Sequence, residues 1–109
     1  MDKWVLVLPD HSEVPIGDGL TVGRQSPNDA IMKVMALFDD VSGAHLEFHM
    51  REGRWYMLNR TENSWTRLFE WRSGYPVETT LESGSEHEVS GNMTLLLGDH
   101  AFVQVKKEN

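Results

Sequence analysis

Gly23, Arg24 and, eighteen residues later, Ser42 are the residue types in this chain best suited to binding an oxyanion. A glycine allows another group to approach the backbone closely. The adjacent guanidinium can donate two parallel hydrogen bonds to an oxyanion, and the serine hydroxyl can donate one more. Together these residues predict a site that holds a phosphate group.

The order of motifs along the chain resembles that of the forkhead-associated (FHA) domain, a family of phosphothreonine-peptide readers. The family signature is a Gly-Arg pair before the fourth strand and a Ser-x-x-His motif entering the fifth, represented here by Gly23-Arg24 and Ser42-Gly43-Ala44-His45. The resemblance continues through Asn28-Asp29, the run from Gly53 to Leu58, and Leu81-x-x-Gly84. It covers nearly the whole chain and implies an all-β, FHA-type β-sandwich that binds a phosphorylated partner.

The resemblance also implies a role for each residue of the two motifs. Arg24 and Ser42 correspond to the phosphate-contacting residues of the family, and Gly43 offers a backbone N–H beside them. Gly23 shapes the turn. His45 corresponds to a buried strut that holds the binding loops together and contacts no ligand.

The loop after the sixth strand departs from the family pattern. Where the family usually reads Ser-Thr-Asn-Gly-Thr, this chain reads Glu62-Asn63-Ser64-Trp65-Thr66. Aligned without a gap, Asn63 takes the position that reaches toward phosphate and Ser64 the position that binds the peptide backbone, whereas a shift of one residue puts Asn63 in the second position. Thr66 is expected to support the site. Trp65 replaces a glycine and either contacts a ligand or folds back onto the loop.

Two of these residues have a purely structural alternative. Arg24 could pair with Asp39 or Asp40, and Ser42 could close a turn by bonding its own backbone. Two function classes therefore stay open. The first is a phosphothreonine-peptide binding module, and the second is a phosphorylation-independent interaction module that keeps the FHA fold within a larger protein or assembly.

No group of residues predicts catalysis, a cofactor or a metal ion. The histidines, at positions 11, 45, 49, 87 and 100, are scattered and have no nucleophile and base at a defensible spacing. His45 and His49 lie on a predicted strand, where four residues span roughly 13 Å, too far to share one ion. The absence of cysteine also excludes thiolate ligands and disulfides. We therefore predict that the chain is not an enzyme.

Length and charge narrow the class of protein and of partner. The 109 residues predict a single domain over 1–109, with 106–109 as a frayed tail or a cut point. The net charge of -7 opposes binding to nucleic acid and to anionic membranes, so the expected partner is a phosphothreonine-containing protein or peptide, a substrate of a Ser/Thr kinase. The absence of cysteine and of any visible membrane segment or signal peptide predicts a cytoplasmic location.

Hydrophobic periodicity predicts short strands separated by glycine and polar turns, and hence two packed, mainly antiparallel sheets. About eleven strands are expected, at 4–8, 14–16, 20–22, 30–32, 46–50, 54–58, 67–70, 77–80, 86–89, 93–97 and 101–105. The segment 32–40 fits neither strand nor helix periodicity cleanly, and a bulge or a helical turn is expected there. The predicted core residues are Trp4, Leu6, Leu8, Leu46, Phe48, Met50, Trp55, Met57, Leu95 and Phe102.

Overall fold

A computed structural model of the chain describes residues 3–108. Within this range ten strands form two sheets, and one short helix connects the third strand to the fourth. In chain order the elements are β1 (Trp4–Val7), β2 (Glu13–Pro15), β3 (Thr21–Val22), α1 (Asp29–Met35), β4 (Leu46–Arg51), β5 (Arg54–Asn59), β6 (Thr66–Arg72), β7 (Tyr75–Leu81), β8 (Glu86–Glu88), β9 (Met93–Leu97) and β10 (Ala101–Lys107).

The strands form a sandwich of a six-stranded and a four-stranded sheet. The larger sheet has the order β2-β1-β10-β9-β6-β7, and the smaller has the order β3-β4-β5-β8. Every strand pair is antiparallel. The predicted all-β sandwich of two antiparallel sheets is therefore confirmed.

Alternating side chains from both sheets fill one hydrophobic core. On β4, Leu46 and Phe48 are fully buried, as the alternation predicts. Phe102 was predicted in the core, and that prediction is wrong because its side chain is 52% exposed. Its neighbours Ala101 and Val103 take the inward positions of β10, so Phe102 faces away from the core.

The strand predicted at 30–32 is also wrong, because these residues lie in α1. The Asn28 side chain caps the helix by accepting a hydrogen bond from the Ile31 N–H at 3.1 Å. Ile31, Val34 and Met35 are buried at helical spacing against the core. No helix within residues 3–108 is long and apolar enough to cross a membrane.

The turn between β4 and β5 shows why glycine was a useful marker of hairpins. Glu52 and Gly53 both have positive φ, 53° and 76°, which is the backbone of a two-residue type I′ turn. Glycine adopts such a φ without a steric penalty. The turn aligns β4 and β5 so that Leu46 pairs with Asn59 at the end of the hairpin nearest the candidate site.

Two of the residues predicted to form a frayed tail or to mark a cut point, 106 and 107, extend a strand. Lys106 and Lys107 belong to β10 and pair with Val5 and Trp4. The Glu108 N–H donates to the carbonyl oxygen of Lys3 at 2.8 Å. The remaining residue of the predicted tail, Asn109, lies outside the described residues.

Candidate functional site

Backbone hydrogen bonds bring the two sequence motifs together. The Arg24 N–H donates to the Ser42 carbonyl oxygen at 3.1 Å, and the Gln25 N–H donates to the Gly43 carbonyl oxygen at 3.0 Å. α1 and the turn after it fold outside this pairing, so the eighteen-residue separation disappears in space. The structure therefore places Arg24, Ser42 and Gly43 side by side.

Gly23 allows this close approach because it has no side chain. A Cβ atom at this position would lie 2.3 Å from the Gly43 carbonyl oxygen and 2.6 Å from the Ser42 carbonyl oxygen. Both distances are far shorter than any ordinary contact of a carbon atom, and both atoms belong to the backbone. Glycine at position 23 is thus required by the packing of the two segments.

The guanidinium of Arg24 has no partner in the described part of the chain. Of the six arginines in the chain, the other five each form an ion pair with a glutamate or aspartate. Arg24 is exposed, and among residues 3–108 its side chain forms neither an ion pair nor a hydrogen bond. The structure therefore contains no ion pair between Arg24 and Asp39 or Asp40, which was the structural alternative.

The carboxylate of Asp40 points elsewhere. Its Oδ2 accepts a hydrogen bond from the Asp99 N–H at 2.6 Å and lies 3.4 Å from Nδ1 of His100. The hydrogen bond from the Asp99 backbone is the main cause that lowers the pKa of Asp40. Asp40 is thus a charged anchor between its own loop and the β9–β10 turn.

Two further hydrogen-bond donors stand beside Arg24. Ser42 is partly exposed, and its hydroxyl shares a hydrogen bond with the Thr61 hydroxyl at 2.5 Å, in which either oxygen can donate. Gly43 is partly exposed, and its N–H finds no acceptor in the described part of the chain. When the Thr61 hydroxyl donates to Ser42, the proton of Ser42 is free, so the guanidinium, the Ser42 hydroxyl and the unpaired Gly43 N–H form a set of donors suited to an oxyanion.

His45 is fully buried and connects the two loops of the site. Its Nδ1 accepts a hydrogen bond from the Ser42 N–H at 3.0 Å. The proton of the neutral ring is therefore on Nε2, which lies 2.9 Å from both the Trp65 carbonyl oxygen and the Thr66 hydroxyl. Burial lowers the pKa of His45, while the bond to Trp65 and the charge of Asp40 oppose that shift.

The hydrogen-bonded network continues from Thr66, in the larger sheet, to Asn59 in the smaller sheet. The Thr66 hydroxyl donates to Oδ1 of Asn59 at 2.8 Å. The amide nitrogen of Asn59 donates to the carbonyl oxygens of Leu81 and Glu82, each at 3.0 Å. His45, Thr66 and Asn59 are all buried, and each side chain is satisfied by this network.

In the loop that departs from the family pattern, residues 62–66, the polar side chains differ in their contacts. The Ser64 hydroxyl donates to the carbonyl oxygen of Asp40, so it ties two loops together. The side chain of Asn63 is exposed and has no hydrogen bond within residues 3–108. Trp65 is 63% exposed, so it does not fold back onto the loop.

Sequence reasoning missed Thr61 and Asn59, both of which belong to this region. Asn59 is 1% exposed and Thr61 is 2% exposed, although both are polar. A signal was present for Asn59, because Met57 and Asn59 are two residues apart on β5 and therefore share the inward face, whereas Thr61 lies beyond the strand. A polar residue at an inward position indicates a buried hydrogen-bond network.

Solved structures of similar fold were found, whereas neither a protein-family model nor a curated protein matches the chain. An Arabidopsis thaliana FHA domain is 16% identical, covers 100% of this chain and 88% of its own, and has a TM-score of 0.70. Rv1747 FHA-1 of Mycobacterium tuberculosis is 15% identical, with coverage of 99% and 98% and a TM-score of 0.66. The FHA domain of human APLF, solved with an XRCC1 bisphospho peptide, is 18% identical, with coverage of 95% and 97% and a TM-score of 0.65. None of these three proteins is described as an enzyme. The chain has the fold of the forkhead-associated domain.

Proposed function

We propose that the chain is a phosphothreonine-peptide binding module that mediates phosphorylation-dependent protein interaction. The observation that carries the proposal is the free guanidinium of Arg24, since every other arginine is paired. A protein with net charge -7 offers many carboxylates, so an exposed arginine without one is notable. We propose that its partner is an external phosphate.

The surrounding donors fit this role. Ser42, held by Thr61, and the Gly43 N–H add hydrogen bonds at short range, which is what a phosphate needs on an acidic protein whose long-range field repels it. The FHA domain of APLF, of similar fold, was solved with a bisphospho peptide, and this supports a phosphorylated partner here. We further propose that the partner is a Ser/Thr kinase substrate and that binding takes place in the cytoplasm.

The phosphorylation-independent module remains the second candidate because of Ser64. In the family pattern its position belongs to an asparagine that binds the peptide backbone, but the Ser64 hydroxyl here already donates to Asp40. The exposed amide of Asn63 is the available replacement, one residue earlier. A module that lost peptide binding but kept its fold would show this kind of reassignment.

Replacing Arg24 tests the proposal. Purified chain is titrated, by fluorescence anisotropy, with a degenerate peptide pool centred on phosphothreonine and with the same pool unphosphorylated or carrying phosphoserine. We expect binding of the phosphothreonine pool only, and Arg24→Ala should weaken it roughly tenfold or more, because a hydrogen bond to a charged group contributes about 1.5–3 kcal/mol.

Arg72→Ala is the matched control. Arg72 is also exposed, but it pairs with Glu70 at 3.1 Å and lies at the far end of β6, roughly 20 Å from Thr66. This variant should bind the phosphothreonine pool as the unmodified chain does. Equal binding of phosphorylated and unphosphorylated pools, unchanged by Arg24→Ala, would instead favour the phosphorylation-independent module.

A further inference from the structure

The side chain of Trp65 is held in the solvent beside the candidate phosphate site. The residue is 63% exposed, yet hydrogen bonds hold its backbone in place. The Trp65 carbonyl oxygen accepts hydrogen bonds from Nε2 of His45 at 2.9 Å and from the Gly98 N–H at 2.8 Å. A large aromatic side chain on a fixed backbone loses little conformational entropy on binding, which is typical of the residues that anchor a ligand.

Carboxylates surround this indole on both sides. Trp65 is one wall of a cleft that Glu62 and Glu82 also line, and neither of these carboxylates has an ionic partner within residues 3–108. On its other side Trp65 borders a second cleft with Glu78 and Asp99. Acidic groups therefore dominate the surface next to the indole.

Among the described residues, Arg67 is the one cation that lines either cleft, and it already forms ion pairs. Its guanidinium lies 3.7 Å from Glu78 and 3.6 Å from Asp99. The cleft formed with Glu62 and Glu82 has no positive side chain along its described walls. An indole face beside unpaired carboxylates favours a cation, since the face of an aromatic ring attracts positive charge.

We propose that Trp65, with Glu62 and Glu82, binds a lysine or arginine side chain of the partner, a few residues from its phosphorylated residue. This inference rests on the proposed function and deepens it. The acidic cleft repels the phosphate, which binds at Arg24, and attracts a positively charged side chain to Trp65. The two ends of the site together select a phosphorylated segment that also carries a basic residue.

The two ends are close enough for one short segment. The Ser42 N–H and the Trp65 carbonyl oxygen bond opposite nitrogens of the same imidazole ring, that of His45. Thr61, which shares a hydrogen bond with Ser42, also lines the cleft at Trp65. Since an extended peptide advances about 3.3 Å per residue, a few residues connect phosphate and base.

The test is selection from a peptide library with fixed phosphothreonine and degenerate flanking positions, using the unmodified chain, Trp65→Ala and Trp65→Phe. We expect enrichment of arginine or lysine at one flanking position. A peptide with arginine there should bind roughly fivefold more tightly than the same peptide with norleucine. Trp65→Ala should remove this preference, Trp65→Phe should keep part of it, and Glu62→Gln with Glu82→Gln should weaken it.

Trp71→Ala serves as the matched control, because Trp71 is 75% exposed but lies near the other end of β6. It should leave the preference unchanged. Selection of phosphothreonine peptides with apolar or acidic flanks, or a basic preference that survives Trp65→Ala, would overturn this inference and leave the proposed function standing. Failure to select any phosphorylated peptide would overturn the proposed function, and this inference with it.

Discussion

Because Gly23 has a hydrogen atom in place of a side chain, the backbones of Arg24 and Ser42 can approach each other and form a hydrogen bond. We expect Gly23→Ala to destabilise the fold by about 1–3 kcal/mol, because the added Cβ collides with two backbone carbonyl groups that can move only together with the loop. The same displacement should weaken binding of the phosphothreonine pool by more than the Arg24→Ala change alone. Urea unfolding and fluorescence anisotropy measure the two effects.

Gly17→Ala is the control for this substitution. A Cβ at Gly17 would meet no atom within 4 Å, and its backbone does not adopt a positive φ. This variant should unfold and bind like the unmodified chain. If both alanine variants were equally stable, the close approach at Gly23 would not be a constraint on the site.

Helix α1 lies between Arg24 and Ser42 in the chain, and its stability depends on its N-terminal cap. The helix has only seven residues, so it gains little from its own hydrogen bonds and relies on Asn28 and on burial of Ile31 and Met35. We expect Asn28→Ala to lower the free energy of unfolding by about 1 kcal/mol, and Asn28→Ser to retain most of it. Chemical denaturation checks both, and equal losses in the two variants would show that the cap is not what stabilises α1.

Strands with clear alternation were predicted more accurately than the short helix. Strands with clear alternation, such as β4, were predicted within a residue or two because one face must be buried. The prediction of a strand at 30–32 is wrong because three residues do not distinguish the two periods, whereas the Asn28 cap marks the start of a helix. Phe102 was misassigned because alternation fixes which residues share a face but not which face is inward.

The site was predicted less completely than the fold. Arg24, Ser42 and His45 were predicted to share a site because each motif is local in sequence. The structure brings them together, and their role in binding stays a prediction. Thr61 was not found, since its contact with Ser42 depends on how two distant loops meet. The exposure of Trp65 is likewise a tertiary property, and the sequence left it open.

Across the whole molecule, the buried network joins the two sheets through side chains as well as through apolar packing. Asn59 ends β5 in the smaller sheet, whereas Thr66 begins β6 and Leu81 ends β7 in the larger one. His45 enters this network as a neutral ring that accepts from the Ser42 N–H. A proton on Nδ1 would replace that acceptor with a donor, so protonation opposes both the network and the site.

The stability of the fold should therefore depend on pH through His45. Its pKa in the folded chain is lowered from 6.5, so below that pH the unfolded chain binds more protons than the folded one. The free energy of unfolding should fall as pH decreases below 6.5, by at most about 1.4 kcal/mol per pH unit, until the folded pKa is reached. His45→Gln should be less stable at neutral pH and should lack this component, while the four other histidines remain. Urea unfolding of both chains between about pH 5 and 8 measures the difference, and parallel curves would show that His45 does not couple protonation to folding.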